Sequence, residues 1–281
     1  MIYRYLTTPP DPTKWKQPPA WFLYVFSYLV VLLTRSSSKW SHRIEKGQKV
    51  LIVPNHQIYG FDLPVLWAQI YLTTGVWPRG LCDRFHLLIP FWASLLWFFG
   101  AIEGSPANCE EVMRLGQPII VFPGGGDEVC KKRSHAKYAL LWKSRKGFAK
   151  YATKFGYPIL PAASVGFEDM LSVWFDIPVG WVMKLLGDKR SDFTVPFPFY
   201  NFTVQRCYYR FGSLIETASK QKQWMNDSAI TEIRDITHLE VQRLIGTCQI
   251  DQKNDPNRYL LNEITNTVTR RHLVGGSAKK K

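Results

Sequence analysis

A chain of 281 residues is long enough for one large α/β domain with peripheral elements and too short for two such domains. Five widely spaced cysteines with no Cys-x-x-Cys, and no His-Glu-x-x-His spacing, exclude a disulfide framework, a zinc knuckle or another compact metal site and suit a reducing, cytosol-facing catalytic domain. The formal net charge of +14 and the 11 Trp, 13 Tyr and 17 Phe fit anionic lipid headgroups, a phosphorylated co-substrate or nucleic acid, among which composition does not choose.

Residues 1–19, rich in Pro, Thr and Lys, read as an irregular lead-in. Ala20–Thr34 then runs without a charge, bracketed by Lys14 and Lys16 before it and Arg35 and Lys39 after it. As a helix it is ~22 Å long at ~1.5 Å per residue, short of the ~30 Å hydrocarbon core. It therefore spans with snorkelling flanks, lies in one leaflet, or packs as a helix of a soluble core. No small-residue cleavage site precedes Arg35, which argues against a secretory signal. Residues 1–44 are assigned to this lead-in and membrane-associated helix, 45–260 to a single domain, and 261–281 to a basic tail.

Val50-Leu51-Ile52-Val53 is an unbroken apolar run, the pattern of a strand covered on both faces in a parallel sheet. The turn after it carries Pro54-Asn55-His56, at the carboxyl end of a strand, where open α/β sheets place their ligands. Asp62 follows, just before Leu63-Pro64, where proline is tolerated in a first helical turn. Two roles are open to Asp62: an ordinary N-cap, or a carboxylate that folds back to accept Nδ1–H of His56 and leaves Nε2 as a base. A helix over Leu63–Leu72 comes next.

The second apolar stretch, Leu87–Ile102, contains Pro90 and reads as a buried or interfacial helix. A helix over Asn108–Leu115, stopped by Gly116, follows. Pro118–Phe122 is another buried-strand run, and it leads into Pro123-Gly124-Gly125-Gly126-Asp127-Glu128, whose glycine N–H groups can approach an anion or oxyanion closely. Gly147–Ala152 reads as helix and Tyr157–Ala162 as a third strand. Met170–Leu186 is apolar and aromatic, suited either to a bilayer surface or to core packing. A strand over Val204–Phe211 and a polar helix from Ser228 to Ile250 close the domain. The tail after Asn266, with Arg270, Arg271 and Lys279–Lys281, is expected to be disordered and drawn to membranes.

Asn55-His56…Asp62, Phe122-Pro123-Gly124-Gly125…Glu128 and Tyr157-Pro158-Ile159-Leu160-Pro161, in this order, resemble the PlsC-like glycerolipid acyltransferase superfamily. The extra residue between His and Asp and the Phe-Pro-Gly-Gly-x-x-Glu block are similar to its diacylglycerol-acyltransferase-like branch, which includes transmembrane protein 68 and the plant phytyl ester synthases. Trp142-Lys143…Arg145-Lys146-Gly147-Phe148 and Tyr208–Gly212 resemble that branch too. The resemblance implies a single α/β domain with a mostly parallel central sheet flanked by helices, His56 as general base, and Asp62 orienting it. It further implies Asn55, Pro123, Gly124, Gly125, Gly126 and Glu128 at the substrate or oxyanion, and no metal or bound cofactor, with acyl-CoA as co-substrate. Lys131, Lys132, Arg133, Lys143 and Arg145 are candidates for a coenzyme A or headgroup phosphate.

Phosphate-accepting relatives carry an arginine near Gly100–Gly104, where this chain has Glu103, and a glutamate where it has Gly124. A carboxylate facing a phosphate repels it. The expected reaction is therefore membrane-bound O-acylation of a neutral acceptor, a mono- or diacylglycerol or a long-chain alcohol, at the endoplasmic reticulum. A lysophospholipid or glycerol-phosphate acyltransferase is the alternative within the enzyme class, and a basic lipid- or nucleic-acid-binding protein the one outside it. Membrane lipids and an acyl donor are the expected partners, nucleic acid is not, and no protein partner can be read.

Overall fold

The computed structural model describes residues 11–84, 86, 90–185, 193–201 and 203–265. In chain order, α1 (Ala20–Thr34) leads into β1 (Ser37–Trp40), β2 (Leu51–Pro54), α2 (Asp62–Thr74), β3 (Arg79–Cys82), α3 (Pro90–Phe98), β4 (Ala101–Glu103), α4 (Pro106–Arg114) and β5 (Ile119–Ile120). Then come the single turn α5 (Gly126–Val129), α6 (Gly147–Phe155), β6 (Ile159–Val165), the single turn α7 (Phe167–Met170), β7 (Leu171–Pro178), α8 (Gly180–Leu185), β8 (Thr194–Tyr200), β9 (Tyr208–Phe211) and the long α9 (Asp227–Asn254). Seven strands form one sheet in the order β1-β9-β6-β2-β5-β3-β4, and β7 pairs with β8 apart from it. From β6 to β4 the strands are parallel, and β1 and β9 run together against them.

The apolar run at the centre explains the layering. Leu51 and Val53 face one core, with α4, α6 and α9 (Val112, Met113, Ala152, Ile233, Leu244), whereas Val50 and Ile52 face the other, with α1 and α2 (Leu23, Val65, Leu66, Ile70). Each fully buried large aliphatic side chain contributes about 1.5–3 kcal/mol. Two covered faces therefore hold even the two-residue β5 in place. The sheet also reaches back before residue 45, because Ser37–Trp40 pairs with Tyr208–Phe211.

Several expectations shift. The strand expected over Val204–Phe211 joins the main sheet only from Tyr208, while Gln205 makes an isolated antiparallel bridge with Tyr259, and Ile102 belongs to β4 rather than to a helix. The segment expected over Met170–Leu186 divides into the end of α7, β7 and α8, and its last residue, Leu186, lies outside the described residues. Among the described residues no helix is long and apolar enough to cross a membrane, which counts against the first of the three alternatives open to Ala20–Thr34. That helix packs along α2, burying Leu23 and Ser27, and turns Trp21, Tyr24, Tyr28 and Leu33 outward. Leu87–Ile89 and the tail 266–281 lie outside the described residues.

Candidate active site

β2 lies between β5 and β6, with Leu51 opposite both Ile119 and Ile159. The turns that leave the carboxyl ends of these three parallel strands are thereby neighbours. His56 stands on the central one. Beyond it, Tyr59 (φ 60°) and Gly60 (φ 74°) are both left-handed, so the chain folds back sharply and the extra residue between His and Asp is absorbed. Asp62 returns to place Oδ1 2.9 Å and Oδ2 3.1 Å from His56 Nδ1. A carboxylate accepts, so Nδ1 carries a proton in this contact, and in the neutral imidazole the lone pair is then on Nε2.

Asp62 does not cap its helix: the N-cap position is Phe61, with no side-chain cap bond. Its carboxylate is 1% exposed, and Tyr209 Oη donates to its main-chain oxygen at 3.0 Å. Phe122 stacks on the imidazole at 3.8 Å between centroids. A Cβ at Gly60 would come within 3.2 Å of His56 Cε1, so a larger residue there would push the ring aside.

The glycine turn of β5 completes the site. A Cβ at Gly124 would fall 2.1 Å from Glu128 Cδ, so the Glu128 side chain fills the space that a side chain at 124 would need. Fully buried, Glu128 accepts the His56 N–H at 2.8 Å and the Leu141 N–H at 2.8 Å. Burial pushes its carboxyl above the ordinary value, opposed by the Lys131 charge and by those two N–H donors. Lys131 Nζ donates to the His56 carbonyl at 2.9 Å and to Glu168 Oε1 at 2.7 Å. Both main-chain polar groups of His56 are thus gripped by charged side chains three residues apart.

This geometry corrects several assignments. Asn55 is buried and spends its amide on Ser164, accepting from its N–H at 2.8 Å and donating to its carbonyl at 3.1 Å. It staples the His56 turn to β6 rather than facing a substrate. Glu128 likewise holds backbone, not substrate, and buried Lys131 is unavailable to a phosphate. Lys143 pairs with Asp127 at 3.1 Å, and Arg145 pairs with the same carboxylate and donates to Gly124 O at 2.8 Å. Arg133 sits against the β7–β8 sheet, its N–H on Asp176 at 3.1 Å and its guanidinium on Trp174 O at 3.3 Å. Lys132 uses its main-chain N–H on His135 at 3.2 Å.

Within the glycine turn, the buried Pro123 passes its carbonyl to Arg145 at 3.3 Å. The Gly125 N–H closes the turn on Phe122 O at 3.0 Å, so it is withdrawn from any oxyanion, while Gly124 and Gly126 flank it. Sequence reasoning missed Gln57, which is buried, donates to Ser164 Oγ at 2.8 Å and accepts from Phe167 N–H at 3.0 Å. The signal was there: polar residues directly after a fully buried strand must find partners.

The Acyltransferase family model matches residues 37–165. The chain is 26% identical over 238 residues to "Phytyl ester synthase 2, chloroplastic" of Arabidopsis thaliana, covering 75% of this chain and 34% of that protein. It is 33% identical over 122 residues to "DGAT1/2-independent enzyme synthesizing storage lipids" of Mus musculus, covering 43% and 36%. This chain thus spans about a third of the length of these relatives. Among solved structures, the 1-acyl-sn-glycerophosphate acyltransferase PlsC of Thermotoga maritima superposes with a TM-score of 0.48 at 14% identity, covering 80% of this chain and 79% of that one.

Proposed function

Because the Acyltransferase family model matches residues 37–165, we propose that this protein transfers a fatty acyl group from acyl-CoA, or from a lipid ester, to the hydroxyl of a neutral lipid. A mono- or diacylglycerol or a long-chain alcohol is the acceptor. The observation that carries the catalytic half is the His56–Asp62 pair, with its carboxylate on Nδ1 and Nε2 left as a base.

In this reading Nε2 takes the acceptor proton as the hydroxyl oxygen attacks the acyl carbonyl. The carbonyl oxygen becomes an oxyanion near the Gly124 and Gly126 N–H groups, whose fixed dipoles are worth most for charge that appears only in the transition state. Collapse expels the thiolate, which takes the proton back from His56. No acyl-enzyme is required.

What supports the neutral acceptor is electrostatic. Lys131, Lys143 and Arg145 are each engaged by Glu168 or Asp127. The strand neighbouring β3 ends in Glu103. The names of the plant and mouse relatives support acylation of neutral lipid as well. No disulfide joins the five cysteines, and we place the reaction at a membrane surface facing a reducing compartment.

The test is turnover of labelled acyl-CoA by wild type, His56→Ala and Asp62→Asn. Both variants should stay folded and lose activity; substantial turnover by His56→Ala would remove the general base from the proposal.

A further inference from the structure

The two-stranded β7–β8 sheet turns an aromatic face outward. In a half-buried antiparallel pair the inner face is apolar and the outer one polar. Here the register pairs Phe175 with Phe197 and Ile177 with Val195, and it shifts by one residue between Val173 and Phe175. That bulge puts Trp174 on the same side as Phe175, since two residues then oppose one. Trp174, Phe175, Ile177, Phe197 and Phe199 accordingly share one face, and all five are exposed, Trp174 by 62%. They touch one another: Phe175 stacks on Phe197 at 4.8 Å, and Trp174 lies 5.9 Å from Phe199.

The opposite face is the one turned to the site. Asp176 there accepts the Arg133 N–H, and the carbonyl of Pro196 accepts from the hydroxyl of Tyr59, in the turn between His56 and Asp62.

We propose that this outward face is a bilayer-docking surface, seated in the headgroup region so that a lipid acceptor passes from the membrane to the His56 turn. The docking stands on geometry alone; only the delivery of an acceptor rests on the acyltransferase reading. Two features select a bilayer over a second copy of the chain. The face is aromatic, with a Trp among Phe residues, as side chains at the headgroup boundary are. Its edge is basic: Arg133 lies on the Trp174 carbonyl, and exposed Lys184 is on α8, which continues from β7, a charge complement for anionic lipid. A two-stranded sheet exposing five large apolar side chains is otherwise an association hazard.

The test is flotation of the full 281-residue chain with phosphatidylcholine vesicles, with and without phosphatidylserine. Wild type and His56→Ala should float alike, more strongly with phosphatidylserine. Trp174→Gln/Phe199→Gln should lower the partition coefficient by about ten-fold or more, while circular dichroism confirms its fold. Trp174→Phe, which keeps an apolar ring, should restore most of the binding. Unchanged flotation of the double Gln variant would overturn the proposal and leave α1 as the contact. So would a wild-type dimer in sedimentation that the double Gln variant abolishes. Failure of His56→Ala to lose turnover would touch only the acyl-transfer reading.

Discussion

Asp62 has two roles open to it in the sequence, and the backbone chooses between them. Consecutive left-handed residues at Tyr59 and Gly60 aim its carboxylate at His56, a bend that the letters Ile-Tyr-Gly-Phe do not advertise, because tyrosine seldom adopts that conformation. Asp62→Asn should keep the fold and lower kcat about 10²–10⁴-fold, since an amide no longer enforces the Nδ1–H tautomer. Glu128 teaches a related lesson. Its place in the motif was legible, but its task of holding the His56 N–H depends on the empty volume at Gly124. Gly124→Ala should therefore displace Glu128, destabilise the fold by about 1–3 kcal/mol and depress turnover, read by thermal denaturation and kcat together. Replacing Lys131 by Met should strand Glu168 in the interior, both side chains being 5% exposed, and cost about 3–5 kcal/mol. A raised KM for acyl-CoA without loss of stability would instead restore its phosphate role. Because burial raises the Glu128 carboxyl, the folded protein holds that proton at a pH where the unfolded chain has lost it. The stability of wild type relative to Glu128→Gln should then fall as pH rises above about 4.5, measured by denaturant midpoints.

At the scale of elements, legibility follows length and burial on both faces. The run at Val50–Val53 and the long helix after Asn226 are readable because each carries enough apolar residues in one period. β1, β3 and β4, of three or four residues, are too short for a period to declare itself, and the polar Ser37-Ser38-Lys39 hides an edge strand. β7 and α8 read as one apolar segment, because the bulge breaks alternation at Trp174. Helix α9 starts where Asn226 Oδ1 accepts the N–H groups of Ser228 and Ala229 at 3.0 and 3.2 Å. Asn226→Ala should cost about 0.5–2 kcal/mol, seen as a lower Tm with turnover per folded molecule unchanged, since α9 supports the sheet from the face away from α2.

For the whole molecule, the surplus of positive charge read as a phosphate-binding reserve, and the fold redistributes it. Cations near the glycine turn are absorbed by Asp127 and Glu168, which a sequence cannot reveal because the partners come from other parts of the chain. What remains about His56 is an imidazole held by Asp62 and stacked on Phe122, beside an outward aromatic sheet. The most direct measurement is acyl transfer from labelled acyl-CoA by the purified chain in lipid vesicles, against monoacylglycerol, diacylglycerol, a long-chain alcohol, lysophosphatidic acid and glycerol 3-phosphate, with His56→Ala in parallel. His56-dependent product from the neutral acceptors, with little from the phosphorylated ones, is the predicted result. His56-dependent acylation confined to lysophosphatidic acid or glycerol 3-phosphate would contradict the neutral acceptor, and product formed equally by His56→Ala would contradict the base itself.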